Sequence, residues 1–126
     1  MVADIATAMA GIEDPLELLL AGVRRFLDLC TEPTWTRIPL IDAPSVLGWE
    51  EWREIDKRYG LGLVTAGLEA AMSAGALRRQ SVDPLAHVLL AAMGEAGLMI
   101  ATAEDPAAER AEVEPTLVGL IESLRV

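Results

Sequence analysis

The sequence predicts an all-α protein, and three observations carry that prediction. Apolar residues recur at intervals of three and four over long stretches, the signature of helices with one buried face. Three Asp-Pro pairs, Asp14-Pro15, Asp83-Pro84 and Asp105-Pro106, each precede such a stretch. An Asp can accept hydrogen bonds from the free amides of a first turn, and Pro there forfeits none. Aromatic residues make up only 4% of a chain that is 52% hydrophobic, so close packing through Ala, Leu, Gly and Met is expected in place of a sheet.

At 126 residues the chain is expected to be a single domain spanning 1–126, with five to six helices. Residues Met1–Ala10 read as a short helical piece stopped by Gly11 and lacking a cap in front. From Pro15 to Cys30 the residues Leu16, Leu19, Leu20, Val23, Phe26, Leu27 and Cys30 form one apolar seam, with Glu17 placed three residues after Asp14 as in a capping box. Between Thr31 and Pro44 three prolines allow at most a short helix or an extended link.

The longest helix is predicted from about Gly48, through Trp49, Trp52, Ile55, Tyr59, Leu63, Ala66 and Ala70, to a stop at Gly75. Gly60 and Gly62 inside it require either a bend or a close neighbour. The next helix, Pro84 to Ala103, places Leu85, Val88, Leu89, Leu90, Met93, Leu98, Met99 and Ile100 all around its circumference. A helix with no wet face must be covered on every side, and so small a domain cannot enclose it alone. The last helix starts at Pro106 and carries a seam of Val113, Leu117, Leu120, Ile121 and Leu124, with a break expected near Glu114 because of Pro115.

At about 1.5–3 kcal/mol per large apolar side chain buried, leaving half a dozen in water would forfeit a typical domain's net stability. A homodimer is therefore expected, in which the last two helices make half of a four-helix bundle. The residues assigned to that interface are Val88, Leu89, Ala92, Ala96, Met99, Leu117, Leu120, Ile121 and Leu124.

Charge and composition exclude several functions. Twenty acidic against ten basic residues give a net charge of -10, which repels a phosphate backbone, so this chain is not expected to bind DNA by itself. One cysteine, Cys30, and one histidine, His87, supply neither a disulfide nor a metal set, and no nucleophile–base pair suggests an enzyme. No metal and no cofactor are expected. No signal sequence opens the chain, and the Pro84–Ala103 run is interrupted by His87, Gly94, Glu95 and Gly97. A cytoplasmic protein without a membrane span is expected.

Further residues point to a family. The string Leu40-Ile41-Asp42-Ala43-Pro44-Ser45-Val46-Leu47-Gly48-Trp49, followed by Trp52-Arg53-Glu54-Ile55-Asp56, resembles the C-terminal domain of TetR-family transcriptional regulators. So do Asp14-Pro15-Leu16-Glu17, the run from Asp83-Pro84-Leu85-Ala86-His87 to Gly94-Glu95-Ala96, and Ala103-Glu104-Asp105-Pro106. The resemblance implies a helical domain whose central helices enclose a small-molecule pocket and whose last two form the dimer bundle. It also implies that DNA is bound only by an N-terminal helix-turn-helix, which no residue here supplies, and that 1–10 are the tail of the joining helix. Gly94 departs from the family's pattern, which has a polar residue there, and Pro115 is unusual in its final helix.

The expected function is effector sensing and dimerisation in a repressor of this type, with an apolar or amphipathic ligand. The alternative is a free-standing dimerisation module that lacks a DNA-binding head. Candidate ligand-binding residues are Trp35, Trp49, Trp52, Tyr59, Leu63, His87 and Glu95. Apolar walls with a few placed polar groups are what such pockets need; against this, the indoles can equally be plain core and a lone histidine is more often structural. Glu95, a carboxylate inside an apolar helix, demands a partner: Arg53, the effector or a second subunit.

Overall fold

A computed structural model describes residues 11–32 and 49–126, with the backbone alone over 49–59. Among the described residues there are four helices and no strands: α1 (Pro15–Cys30), α2 (Trp49–Ser73), α3 (Val82–Ala101) and α4 (Pro106–Glu122). The all-α expectation holds. The helical reading of 1–10 and the link over 33–48 lie outside the described residues.

The helix starts follow from their caps, with one correction. Asp14 accepts from the amides of Leu16 at 2.9 Å and Glu17 at 3.2 Å, and Asp105 accepts from that of Ala108 at 3.2 Å. Glu17 directs its carboxylate to Arg125, 3.8 Å away. Asp83 is not a cap: α3 begins one residue earlier, after Ser81. Pro84 is then the third helical residue, still in the first turn where no intrahelical bond is lost.

The helix α2 ends where the sequence places a stop. Gly75 has φ +77°, a left-handed conformation natural to glycine. The amide of Ala76 reaches back to the Ala71 carbonyl at 3.0 Å, closing the end. Gly60 is explained by a close neighbour, because a Cβ there would lie 3.0 Å from Leu90 of α3. At Gly67 it would lie 2.9 Å from Leu19 of α1.

No break occurs at Glu114: α4 runs unbroken through Pro115. Proline removes one hydrogen bond but leaves the helix free to continue if packing holds both sides. Pro115 itself is exposed, while Val113 and Leu117 on the opposite face are buried. Glu114 is held in place by Arg24 of α1, 3.0 Å away, and by Arg110, also 3.0 Å away.

The helix α1 packs against all three of the others, and so does α3. Every residue of the α1 seam read from the sequence is buried. Leu29 is buried too, although it lies off that seam. Such coverage follows from neighbours on three sides. The helices α1 and α3 also approach closely, for a Cβ on Gly97 would stand 3.0 Å from both Cys30 Sγ and Phe26 Cζ.

The chain end closes the structure against the α2–α3 connection. The amide of Arg78 donates to the Leu124 carbonyl at 2.9 Å and that of Val126 to the Ala76 carbonyl at 3.2 Å. The Arg78 guanidinium donates to the Ser123 carbonyl at 3.1 Å. Arg125 binds Glu122 on its own turn and approaches Glu17, tying this end to the start of α1. The Arg125 hydrogen bond holds the Glu122 carboxyl below the usual carboxylate range.

Because Leu27 is fully buried at the middle of this arrangement, Leu27→Ala is expected to lower stability by about 2–5 kcal/mol through lost transfer energy and a residual cavity. Urea unfolding would show it as a lower midpoint with the slope retained; a change below 1 kcal/mol would mean the α1 core is misplaced.

Candidate functional site

The outer side of α3 is the feature that sets this domain apart from a finished globule. Its inner face, Ala86, Leu89, Met93, Ala96, Gly97 and Ile100, is buried. The opposite face exposes Pro84, His87, Val88, Ala91, Gly94, Glu95, Leu98 and Met99. Val88 is 67% exposed, Met99 44% and Leu98 40%. Apart from His87 and Glu95 this stripe is apolar or small, so water meets a surface that resembles core.

The connection from α3 to α4 spans only 102–105, so the two helices run antiparallel. By the 1.5 Å rise per residue, Leu120 of α4 then stands level with Val88. Leu120 is 55% exposed. Among the residues assigned from sequence to a subunit interface, Val88, Met99 and Leu120 are open and Ala92 is half-buried. Leu89, Ala96, Leu117 and Ile121 are buried within the single chain, and Leu124 packs on the core beside them.

The ligand-binding candidates are not brought together by the described residues. Trp35 lies outside them, as do the side chains of Trp49, Trp52, Arg53 and Tyr59. Leu63 is half-buried on α2, whereas His87 and Glu95 both stand on the outer face of α3. The His87 ring is tied to its own helix, with Nδ1 2.9 Å from the Asp83 carbonyl oxygen and 3.7 Å from its carboxylate.

Two facts bear on chemistry. Cys30 is buried, and burial pushes its thiol up to about 12, so it is neither an exposed nucleophile nor a thiolate near neutral pH. His87 lies ten residues from Gly97, the point where α3 meets Cys30, a separation of about 15 Å along the axis. The two cannot form a nucleophile–base pair. Among the described residues no cluster of His, Cys, Asp and Glu is suited to hold a metal ion.

Sequence reasoning missed a charged cluster between α1 and α4. Arg24 reaches Glu114, which also binds Arg110. Arg110 Nη2 donates to the Arg24 carbonyl at 3.3 Å, and its Nε stands 2.7 Å from Asp28 Oδ1, an ionic approach whose angle falls short of a hydrogen bond. The spacing of Arg24 to Asp28 and of Arg110 to Glu114, each one helical turn, was the available signal. It marks two paired faces without saying that they meet.

The described residues thus form a helical domain in which α1 is the most enclosed helix and the outer faces of α3 and α4 expose apolar side chains. A family model described as the tetracyclin repressor-like C-terminal domain matches residues 16–124. The chain belongs to that family, whose members are parts of transcriptional regulators. No curated protein matches the chain.

The buried thiol gives a direct check. The stability gained by keeping Cys30 neutral is fully present below its unfolded value near 9.0 and is lost as pH rises toward 12. At pH 8 a thiol reagent such as DTNB is expected to leave the folded protein untouched and to titrate one thiol in denaturant. Rapid labelling of the folded chain would contradict the α1–α3 packing.

Proposed function

We propose that this domain is the effector-binding and dimerising part of a TetR-type repressor, joined as a homodimer through the outer faces of α3 and α4. The observation that carries the reading is the exposed apolar stripe of Val88, Leu98 and Met99 on α3 with Leu120 on α4. Leu89, Ala96, Leu117 and Ile121 support that surface from behind. A four-helix bundle formed with a second subunit covers it, and the apolarity of α3 is then explained by two layers of packing, one from each subunit.

The effector is an apolar or amphipathic small molecule, held by Trp35, Trp49, Trp52, Tyr59 and Leu63. The indoles and the phenol supply flat apolar walls with single polar handles. His87 and Glu95, both on the exposed face of α3, belong to the subunit interface in this reading. The -10 charge keeps the domain off DNA. Contact with an operator then requires a helix-turn-helix on the same polypeptide, and the domain acts on it by fixing the distance between two such heads. As a component of such a regulator the domain works in the cytoplasm.

Sedimentation velocity at micromolar concentration is expected to show a dimer for the native chain. Val88→Glu combined with Leu120→Glu is expected to give a monomer with unchanged helical circular dichroism, because both side chains are outside the monomer core. A native monomer would sink the interface. Native mass spectrometry of freshly purified protein is expected to reveal a small apolar adduct that is lost from Trp49→Ala and Trp52→Ala variants; adduct retained by both would remove those indoles from the pocket.

A further inference from the structure

The exposed residues of α3 are arranged symmetrically about Ala91. Asp83 and Met99 lie eight residues to either side of it, Pro84 and Leu98 seven, His87 and Glu95 four, and Val88 and Gly94 three. All nine are exposed. When two identical helices cross antiparallel on a two-fold axis, residues equidistant from the crossing point face one another across it. A crossing at Ala91 therefore sets every exposed position of this stripe against another exposed position.

The pairs nearest the crossing are complementary in shape and charge, and only the outermost sets a carboxylate, Asp83, against Met99. Val88, a branched side chain, meets glycine, and a Cβ added at Gly94 would touch nothing within 4 Å of its own chain, so the notch is open. Ala91 meets its own copy, where small side chains let two helices approach closely. His87 meets Glu95. A parallel crossing would instead bring each Glu95 carboxylate against its copy, a like-charge contact that costs association.

We infer that two copies of this chain pack α3 against α3 antiparallel about Ala91, with Val88 seated on the partner's Gly94 and His87 paired with the partner's Glu95. The inference rests on the dimer proposed above and specifies its register.

The tautomer of His87 adds a consequence. A backbone carbonyl only accepts, so the bond between Nδ1 and the Asp83 carbonyl requires the proton on Nδ1. A neutral ring then offers Nε2 as an acceptor, which cannot bind a carboxylate. Pairing with the partner's Glu95 requires the imidazolium, and each such pair makes dimerisation take up a proton. The acidic group beside the ring is Asp83, its carboxylate 3.7 Å away, and the exposed Glu112 of α4 stands level with Glu95 on the antiparallel run. Glu69 is the exposed carboxylate on the described part of α2, and Arg24, Arg110 and Asp28 between α1 and α4 are engaged with one another.

His87 is the chain's one histidine and Cys30 is pushed up to about 12, so between pH 6 and 8 a change in association reports on very few groups. Sedimentation equilibrium on the full 126-residue chain is expected to show the dimer dissociation constant falling roughly tenfold from pH 8 to pH 6. His87→Gln and Glu95→Gln should each abolish that dependence, and the exchanged pair His87→Glu with Glu95→His should restore it. Gly94→Leu should weaken the dimer at least tenfold while leaving monomer stability in urea unchanged or raised. A dimer that is insensitive to pH, or that tolerates Gly94→Leu, would overturn this register while leaving the dimer itself in place. A chain that stays monomeric at every pH would overturn both.

Discussion

The contact on which this structure depends is the close approach of α1 and α3 at Gly97. With no Cβ at that position, the α3 backbone lies directly on Phe26 and Cys30. Two helices that meet so closely leave each other half a circumference for further neighbours. On α1 that remainder is taken by α2 and α4, so nine of its sixteen residues are buried. On α3 the flanks are packed by α2 and α4, but the side facing away from α1 is left exposed among the described residues. The apolar outer stripe is thus a direct consequence of where α1 sits.

The second constraint holds α4 to α1. A proline in the interior of α4 costs a hydrogen bond, and the helix survives because both flanks are fixed: Val113 and Leu117 by burial, Glu114 by two guanidinium groups. Arg110 bridges the helices through both Asp28 and the Arg24 carbonyl. The four side chains carry no net charge, so the cluster joins the helices without adding to the acidity of the chain. At the far end Arg78 and Arg125 fasten the last residues to the α2–α3 connection and to α1. The helix that bears Leu120 is therefore anchored at its middle and its end, and its outer face is presented as a rigid surface.

Much of this was legible in the sequence, and the failures have specific causes. The limits of α1, the stop at Gly75 and the caps at Asp14 and Asp105 depend on local chemistry, which spacing reveals. The start of α3 was displaced because Asp83-Pro84 imitates a cap two residues after the one used, Ser81. The break at Pro115 was misjudged because its remedy is tertiary: nothing near Glu114 in sequence announces Arg24, ninety residues earlier. The sequence marked α3 as too apolar for so small a domain to enclose, and its outer face is indeed exposed in the single chain. What periodicity did not reveal is that α1 is the helix most enclosed within the chain. Leu29, off the seam yet buried, was the sign that α1 is the surrounded one. As for the candidate site, the aromatic row on α2 and the link before it rest on family resemblance, because a pocket is a relation between helices and periodicity describes one helix at a time.

Electrostatics narrows what can cover α3. Two chains of net charge -10 repel each other at long range, and salt screens that repulsion only beyond about 8–10 Å. Any surface joining them must keep carboxylates out of its centre. The exposed face of α3 nearly does so, since Glu95 is the one acidic residue between Pro84 and Met99. A lone carboxylate in such a stripe would oppose association unless the opposite surface supplied a cation. The single imidazole of the chain stands on the same face two turns away, at the position that a two-fold axis through Ala91 carries onto Glu95. An unrelated partner would need a cation at that spot and a projection fitted to the Gly94 notch; a second copy of this chain brings both with it, and the symmetry of the stripe therefore favours self-association over any heterologous cover.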